Sequence, residues 1–296
     1  MSENRIVREI APVCVWGYGR LAEAFVDRLS QASSLVSVFA RRTPSEGVNN
    51  VRFFNDAQKA AEDARFVLAL TSDFASIIDI LQNVGQLDGK TVLQISTLSP
   101  SQSLLVEKEV KARQGRYVEN PVLGSRPEAR SGSLIAMAGP AANIDGEVSA
   151  LIDVYANKRI VFDSVGQASA LKLIFNFLIG ALTTSFSVAL NATQERGIDV
   201  DQFMALLRES ALYAPTFDKK LNQMLRGEYA NPNFPAEHLK KDLTLFGEMV
   251  DVSPLAKTFV NAITDIASAA ANGQQAKLDY SSLHEFVKGA GRPPRP

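Results

Sequence analysis

Three small residues follow the first apolar run of the chain at a spacing that could hold a phosphate. Gly17, Gly19 and Ala22 come directly after residues 13–16 in a G-x-G-x-x-A pattern. The first glycine permits a tight turn, the second lets the backbone approach a pyrophosphate, and the alanine lets a helix pack closely on the strand. A helix starting here would turn its free N–H groups toward the phosphates. The pattern favours a dinucleotide site over a plain tight turn. Its predicted contacts are Gly17, Tyr18, Gly19, Arg20 and Leu21.

The end of the next apolar run indicates which dinucleotide is bound. NAD-binding turns usually carry an acidic residue about 20 positions after the glycines, where it bonds the ribose 2′-hydroxyl. Here the run ends in Arg41, Arg42 and Thr43, with no carboxylate. Guanidinium groups offer paired donors to a 2′-phosphate. We therefore predict NADP in preference to NAD. The alternative is that Arg41 and Arg42 are solvated loop charges.

The elements that would position this turn alternate along roughly the first 160 residues, where short apolar runs are separated by helix-like segments. This alternation is typical of parallel βαβ units covered on both faces. The predicted strands are residues 13–16, 35–39, 66–70, 91–95 and 134–137. The N-terminal part is therefore predicted to be a Rossmann domain with a doubly wound parallel sheet, of the α/β class.

Helical periodicity replaces the strand-like runs after Asp163. Apolar residues recur at spacings of three and four over residues 167–196, and Gly197 follows as a C-cap. Further helices are predicted at residues 199–210, 242–250, 253–271 and 281–288. The sequence thus predicts a Rossmann domain at 1–164 and an all-α substrate and dimerisation domain at 165–296, which begins with the long helix.

Composition excludes several classes of function. The net charge is −1, so no basic face is expected for nucleic acid. One cysteine cannot form an internal disulfide, and with two distant histidines it makes a metal site improbable on residue count, so no metal is predicted.

Two features of the sequence indicate the cellular location of the protein. The first ten residues lack the apolar run of a signal peptide. Lys172 and Asn176 interrupt the longest apolar stretch, which fits a buried helix better than a membrane span. We expect a cytoplasmic protein without a membrane partner.

Four further patches, together with the glycine turn, resemble one family in order along nearly the whole chain. They are STLSP at 96–100, NPVLGSRPEARSGSL at 120–134, GQASALKLIFN at 166–176 and LKKDL at 239–243. They resemble the β-hydroxyacid dehydrogenases, which are 6-phosphogluconate dehydrogenase-like. The resemblance is strongest to glyoxylate and succinic semialdehyde reductases and 3-hydroxyisobutyrate dehydrogenases. It implies a Rossmann domain, a long interdomain helix and a helical C-terminal domain. It also implies reduction of small semialdehydes or oxidation of 3-hydroxy acids without a metal.

The resemblance assigns catalysis to two residues of the long helix. The family's lysine and the asparagine one turn later match Lys172 and Asn176. Residues at i and i+4 share a helix face, so both side chains can reach one substrate. Hydride addition to a carbonyl leaves an alkoxide, and a partly desolvated ammonium can protonate it. The alternative is a lysine whose stem crosses apolar surface to reach solvent.

Turns after two strands are implied in cofactor and substrate binding. Ser96 and Thr97 match the family's Ser-Thr turn and could hold a substrate carboxylate or the nicotinamide amide; the alternative is a simple ST-turn. Thr71 matches a turn beneath the cofactor. Gln94 stands where the family commonly has aspartate, which we interpret as a structural change.

The substrate loop departs from the family. The family's P-V-S-G-G or P-V-S-G-S is Pro121 to Ser125 here, with Leu123 in place of the serine whose hydroxyl bonds the substrate. Gly124 and Ser125 remain candidate donors. The departure favours a larger or more apolar substrate than a simple hydroxy acid.

The C-terminal part is implied to contribute three residues. Lys241 matches a residue that approaches the nicotinamide, Asp242 one that orients a lysine, and Phe234 an aromatic over the substrate. The alternatives are a helix cap for Asp242 and a core position for Phe234.

Together these residues predict an NADPH-dependent reductase of a small carbonyl or hydroxy-acid compound, with Lys172 as proton donor. Two alternatives remain. The first is an imine reductase-like enzyme; relatives of that kind usually replace the lysine with Asp or Tyr, which Lys172 contradicts and Leu123 mildly favours. The second is a non-catalytic NADP-binding scaffold. The resemblance also implies a homodimer or homotetramer.

Overall fold

The computed structural model describes residues 10–42 and 50–288. Contacts divide the chain into two compact units, Met1–Lys172 and Leu173–Pro296. The division falls inside one long helix, directly after Lys172. The domain boundary at 164/165 stays a prediction.

The first unit contains a parallel sheet of six strands. In chain order they are β1 Val13–Trp16, β2 Val36–Phe39, β3 Val51–Phe54, β4 Phe66–Ala69, β5 Thr91–Gln94 and β6 Arg116–Glu119. Their order across the sheet is β3-β2-β1-β4-β5-β6, and all neighbours are parallel. The chain therefore changes winding direction between β1 and β4, where doubly wound sheets bind their ligands. The predicted Rossmann architecture is confirmed.

Among the described residues of the first unit, six α-helices, a 3₁₀ turn at Ala141–Asn143 and a smaller sheet accompany the main sheet. The helices are α1 Arg20–Leu29, α2 Ala57–Ala61, α3 Phe74–Gln82, α4 Pro100–Ala112, α5 Arg126–Ser131 and α6 Gly146–Tyr155. The strands of the second sheet are β7 Val122–Leu123, β8 Leu134–Ala138 and β9 Ala156–Val161. The strand expected at 134–137 is therefore β8, which belongs to the small sheet and not to the main one.

The strands β3, β6, β7 and β9 were not predicted from the sequence. Charged residues interrupt three of them: Arg52 in β3, Arg116 and Glu119 in β6, and Lys158 and Arg159 in β9. These runs lack the continuous apolar character of the central strands. β7 is only two residues long.

Alternate residues of β1 build the two halves of the core. Val13 and Val15 belong to a buried cluster with α1, whereas Cys14 and Trp16 belong to a second cluster on the other face. Burial raises the pKa of the Cys14 thiol to about 12. The thiolate is the reactive form of cysteine, so Cys14 acts as a small core residue, as its sequence context predicts.

The second unit consists of helices. They are α7 Gln167–Glu195, whose first turns belong to the first unit, α8 Val200–Glu209, α9 Pro215–Arg226, α10 Ala236–Met249, α11 Pro254–Ala270 and α12 His284–Val287. α10 begins at Ala236, six residues before the predicted start, with Pro235 at the N-cap position. The segment 281–288 is a 3₁₀ turn, Tyr280–Leu283, followed by α12. α9 was not predicted.

α7 is long and apolar enough to cross a membrane by length and composition, as core helices of many proteins also are. Several of its buried side chains are polar, including Asn176, Thr183 and Ser187. Polar residues buried at intervals along a helix suit packing against other helices better than lipid contact.

A buried histidine joins α12 to α7 and makes stability sensitive to acid. The ring nitrogen Nδ1 of His284 lies 2.6 Å from the hydroxyl of Ser187, and His284 is 1% exposed. Burial, and secondarily the charge of Lys288, lower the pKa of His284 from 6.5 to about 4. The unfolded chain then binds a proton that the folded chain does not, so the folded state loses stability as pH falls from 6.5 to about 4.

We expect His284→Gln to flatten that pH dependence, because glutamine does not titrate. Wild-type protein should lose about 3 kcal/mol more than the variant between these pH values, at about 1.4 kcal/mol per pKa unit. Urea unfolding of both proteins at pH 7, 5.5 and 4 measures the difference. Parallel curves would show that His284 does not contribute to it.

Candidate active site

The carboxyl ends of the central strands are aligned along one edge of the main sheet. Trp16 pairs in register with Phe39 and Ala69, Ala69 with Gln94, and Gln94 with Glu119. The turns that follow these residues carry most of the predicted cofactor contacts. They therefore lie side by side where a doubly wound sheet binds its ligand.

Gly17 forms a turn that only glycine accommodates. Its φ is +100°, and an added Cβ would lie 2.5 Å from the carbonyl oxygen of Leu70. The amide of Gly17 donates to the Phe39 carbonyl at 3.0 Å, and that of Leu70 to the Trp16 carbonyl at 2.9 Å. The turn is thus held between the ends of β2 and β4, and neither neighbour can move without losing a hydrogen bond.

Gly19 presents open space in front of α1. It is the N-cap of that helix, no side chain caps the first-turn amides, and a Cβ added at Gly19 would meet no atom within 4 Å. Ala22 is buried, which allows α1 to approach the strand. Free amides at a helix N-terminus with space before them fit the pyrophosphate of a dinucleotide. The glycine turn, with Arg20 and Leu21 on the first turn of α1, is therefore suited to hold one.

These two glycines make a matched pair of variants. We expect Gly19→Ala to leave the melting temperature nearly unchanged, because its methyl group meets no protein atom. The same methyl group would occupy the phosphate space and weaken NADPH binding by ~10-fold or more, the effect of about 1.4 kcal/mol. Gly17→Ala should lower the free energy of unfolding by about 2–4 kcal/mol, since its φ and its contact with Leu70 are both incompatible with alanine.

Fluorescence titration with NADPH and thermal unfolding of both variants measure these effects. Unchanged NADPH affinity in Gly19→Ala would exclude this turn as the phosphate site.

Tyr18 and two arginines flank the turn. The Tyr18 ring contacts Phe53 of β3 edge-on, with centroids 5.0 Å apart, and burial raises its pKa. Arg41 and Arg42 follow β2 and are exposed. Thr43 lies outside the described residues. Two exposed guanidinium groups at the end of β2 stand where a ribose 2′-phosphate is expected.

The hydroxyl of Ser96 connects two turns. It donates to the Thr71 carbonyl oxygen at 2.7 Å, and the two hydroxyl oxygens lie 3.3 Å apart. Ser96 therefore joins the turn after β5 to the turn after β4, which is the role of a simple turn residue. Thr97 follows it and is half-buried.

Ser125 caps a helix. Its amide and its hydroxyl both donate to the Glu128 carboxylate, at 2.8 and 3.1 Å, at the start of α5. Gly124 before it has φ +113°. Leu123 ends β7 and is half-buried. The structure thus gives Ser125 a partner within its own loop, which its short sequence motif did not indicate.

The two residues assigned to catalysis lie on successive turns of α7. Lys172 is half-buried, and Asn176 is 1% exposed. Asn176 Nδ2 donates to Asp242 Oδ2 at 2.5 Å, and Asp242 Oδ1 lies 3.1 Å from Lys241 Nζ. Asn176, Asp242 and Lys241 therefore form a polar chain between α7 and α10. Asp242 lies inside α10, so the helix-cap alternative for it is wrong.

Phe234 packs among aromatic side chains just before α10. Its ring lies 5.6 Å from Tyr280 and is nearly parallel to His238 at 6.4 Å. The Phe234 carbonyl accepts from the Tyr280 amide at 3.0 Å. Phe234 is only half-buried, so part of its ring is exposed while the rest packs in the core.

Sequence reasoning missed one buried pair near Lys172. Ser169 Oγ on α7 donates to Glu119 Oε1 at the end of β6, at 2.7 Å. A signal was present, because an acidic residue precedes the substrate loop directly. It was not used because β6 was not predicted.

Two family models together match nearly the whole described chain. Residues 12–166 match the NAD-binding domain of 6-phosphogluconate dehydrogenase, and residues 166–287 match the NAD-binding model of NADP-dependent 3-hydroxyisobutyrate dehydrogenase. The first match alone covers more than half of the chain. Their junction at residue 166 directly precedes α7.

A sequence relative and two solved structures agree with these two family models. The chain is 27% identical over 229 residues to glyoxylate/succinic semialdehyde reductase 1 of Arabidopsis thaliana, covering 76% of this chain and 79% of that protein. The solved 3-hydroxyisobutyrate dehydrogenase of Mycobacterium tuberculosis superposes with a TM-score of 0.77 at 17% identity, covering 95% of this chain and 100% of the other. A reductive aminase from Aspergillus terreus, solved with NADPH, reaches 0.62 at 19% identity, covering 94% and 99%.

These matches, together with the glycine turn and the long helix, identify the chain. They confirm the predicted NADP cofactor and an NAD(P)-dependent oxidoreductase that acts on CH–OH groups. The chain belongs to the β-hydroxyacid dehydrogenase family.

Proposed function

We propose that this chain is an NADPH-dependent reductase of a small carbonyl compound of the semialdehyde or 3-hydroxy-acid type, with Lys172 as the proton donor. The observation that carries the proposal is the pair Lys172 and Asn176 on successive turns of α7, in a chain of this family. Within the first unit, the cofactor would be held by the glycine turn and by Thr71 and Thr97 on neighbouring turns. The assignment of Lys241 to the cofactor stays a prediction.

Lys172 supplies the proton in this proposal. NADPH, when bound, provides a hydride for the carbonyl carbon. An alkoxide then develops on the substrate oxygen, and the Lys172 ammonium donates a proton to it. An ammonium within hydrogen-bond distance stabilises charge that exists only in the transition state, which accelerates the reaction rather than merely tightening binding.

Asn176 acts as a hydrogen-bond acceptor in this proposal. One N–H of its Nδ2 donates to the Asp242 carboxylate, while its buried Oδ1 has no hydrogen-bond partner among the described residues. An amide oxygen suits a protonated amine or a hydroxyl and repels an alkoxide. In this proposal Asn176 accepts from the Lys172 ammonium or the product hydroxyl through Oδ1, its second Nδ2 proton can donate to the substrate oxygen, and Asp242 fixes the orientation of the amide.

The substrate class rests on the loop after β7. Leu123 provides a half-buried apolar side chain where the family has a serine hydroxyl. The Ser96 hydroxyl already bonds to the turn after β4 and the Ser125 hydroxyl to Glu128, which leaves backbone amides such as that of Gly124 as donors. We infer a substrate with a larger apolar part than glyoxylate, with Phe234 as an apolar wall.

Imine reduction is the second candidate. The structural match to the reductive aminase favours it at the level of the fold, and Leu123 agrees with it. Lys172 argues against it, because a lysine suits protonation of a developing alkoxide. A scaffold without catalysis would have no use for a lysine beside buried Asn176.

One substrate panel separates these functions. The loss of NADPH absorbance is followed with glyoxylate, succinic semialdehyde, bulkier semialdehydes and cyclic imines. The reverse reaction is followed with 3-hydroxy acids as the gain of NADPH absorbance. We expect turnover with a semialdehyde and higher kcat/KM for the bulkier ones. Turnover of cyclic imines alone would indicate an imine reductase, and NADPH binding without any turnover would indicate a scaffold.

We further propose a soluble cytoplasmic homodimer or homotetramer. Apolar side chains along α7 are partly exposed in the single chain, at 36–52% of their area. They are Ile174, Phe175, Leu178, Leu182 and Val188. Their spacing forms a helical stripe that a second copy could cover.

A further inference from the structure

A buried hydrogen bond anchors the start of the helix that carries Lys172. Ser169 Oγ donates to Glu119 Oε1 at 2.7 Å. Ser169 is 3% exposed and Glu119 is 0% exposed. Glu119 ends β6 and Ser169 lies on the first turn of α7, so this bond connects the carboxyl edge of the main sheet to the helix within the first unit.

The carboxyl group of Glu119 is costly to bury. Its Oε2 has no hydrogen-bond partner among the described residues, and neither has Oε1 of Gln94, its register partner on β5. Register partners on parallel strands project from the same face of a sheet, so both side chains lie on one face of the main sheet. An acidic side chain placed in such surroundings weakens the fold, since buried polar groups without partners cost free energy. Its position must therefore serve something other than stability.

The anchored turn is the one that precedes Lys172. Ser169 and Lys172 are three residues apart, and residues at i and i+3 lie on one face of a helix. The hydrogen bond at Ser169 fixes two properties of α7 at this turn: the rotation of the helix about its axis and its position along that axis. The rotation and the axial position of α7 at Ser169 therefore also determine where the side chain of Lys172 begins.

We propose that Glu119 and Ser169 are positioning residues, which hold the first turn of α7 so that the Lys172 ammonium is placed for proton donation. This inference rests on the proposed function of Lys172. Catalysis is sensitive to such placement, because a displacement of about 1 Å can cost ~100-fold in rate. Neither residue needs to touch the substrate.

The test compares Ser169→Ala with a matched control. Ser103 and Tyr117 form another buried hydrogen bond of 2.7 Å in the same unit, between α4 and β6, and both residues are 0% exposed. Ser169→Ala should lower kcat by about 10- to 100-fold with unchanged NADPH affinity. Ser103→Ala should lower the melting temperature about as much as Ser169→Ala does, but should leave kcat unchanged. Equal kcat in the two variants would overturn the proposal.

Glu119→Gln separates hydrogen bonding from charge. Glutamine retains a carbonyl oxygen that can accept from Ser169 and removes the carboxyl group, so kcat should stay within ~3-fold of wild type. A loss as large as that in Ser169→Ala would show that the hydrogen bond is not what matters. If Ser169→Ala does not fold, Ser169→Cys replaces it in the test. Because a thiol is a weak donor, kcat of Ser169→Cys should fall below that of wild type, but by less than the ~10- to 100-fold expected for Ser169→Ala. Wild-type turnover in Ser169→Cys would also contradict the role.

A double variant distinguishes positioning from a structural effect. If Ser169 acts through Lys172, adding Ser169→Ala to Lys172→Ala should not slow single-turnover NADPH oxidation further. A further loss equal to that of Ser169→Ala alone would overturn the proposal. The single Lys172→Ala variant tests the underlying function separately. Wild-type activity there would refute the role of Lys172, whereas a slow Lys172→Ala with an active Ser169→Ala would refute only the positioning role.

Discussion

Replacing Lys172 with alanine is expected to lower kcat by at least ~100-fold, the range of a lost general acid, while the dissociation constant of NADPH stays unchanged. In the proposed mechanism Lys172 stabilises negative charge that develops on the substrate oxygen in the transition state, so its removal raises the barrier without weakening cofactor binding. Steady-state kinetics with the best substrate of the panel, together with NADPH titration, measures both quantities.

Two further variants make the result specific. Lys172→Arg keeps the positive charge, but a guanidinium is a very poor acid, so its kcat should remain far below that of wild type. Lys219→Ala removes an exposed lysine of α9 and should leave kcat unchanged. Full activity in Lys172→Arg would show that charge alone is required and that proton donation is not the role of Lys172.

The double variant Arg41→Ala with Arg42→Ala should raise the dissociation constant of NADPH by about 100-fold. Hydrogen bonds to a charged phosphate contribute about 1.5–3 kcal/mol each, and a total of about 3 kcal/mol corresponds to that factor. Affinity for NADH should change little, because NADH lacks the 2′-phosphate. The variant therefore loses its preference between the two cofactors, and kcat at saturating NADPH stays near that of wild type.

Arg52→Ala provides the control for this experiment. Arg52 is an exposed arginine on β3, so its removal lowers the positive charge of the same unit without altering the end of β2. Fluorescence titration of each variant with NADPH and NADH at two salt concentrations separates local contacts from general attraction. An equal loss in Arg52→Ala, or an equal loss of NADPH and NADH affinity in the double variant, would refute a 2′-phosphate site at Arg41 and Arg42.

Local patterns predicted the parts of the fold that local physics determines. The runs that became β1, β2, β4 and β5 are apolar because both faces of these strands are covered, and that property can be seen in the sequence. β6 was missed because Arg116 and Glu119 lie at its ends. Glu119 carries a carboxyl group yet is fully buried, and its contact with Ser169 is tertiary, so no local pattern indicates it.

The candidate site divides in the same way. The role of Gly17 follows from its spacing, and its φ and its contact with Leu70 agree with that role. The bond between Asn176 and Asp242 joins residues 66 positions apart, so no periodicity indicates it. The hydroxyls of Ser96 and Ser125 were candidate substrate contacts, but Ser96 donates to the Thr71 carbonyl in the neighbouring turn and Ser125 to Glu128 in its own loop.

The most direct test of the proton-donor role of Lys172 is a single-turnover measurement. Wild-type and Lys172→Ala protein, each saturated with NADPH, are mixed rapidly with the carbonyl substrate, and the first oxidation of nicotinamide is followed by absorbance. The account predicts that this first step is at least ~100-fold slower in Lys172→Ala, with equal NADPH occupancy in both proteins. Equal rates in the first turnover would contradict it.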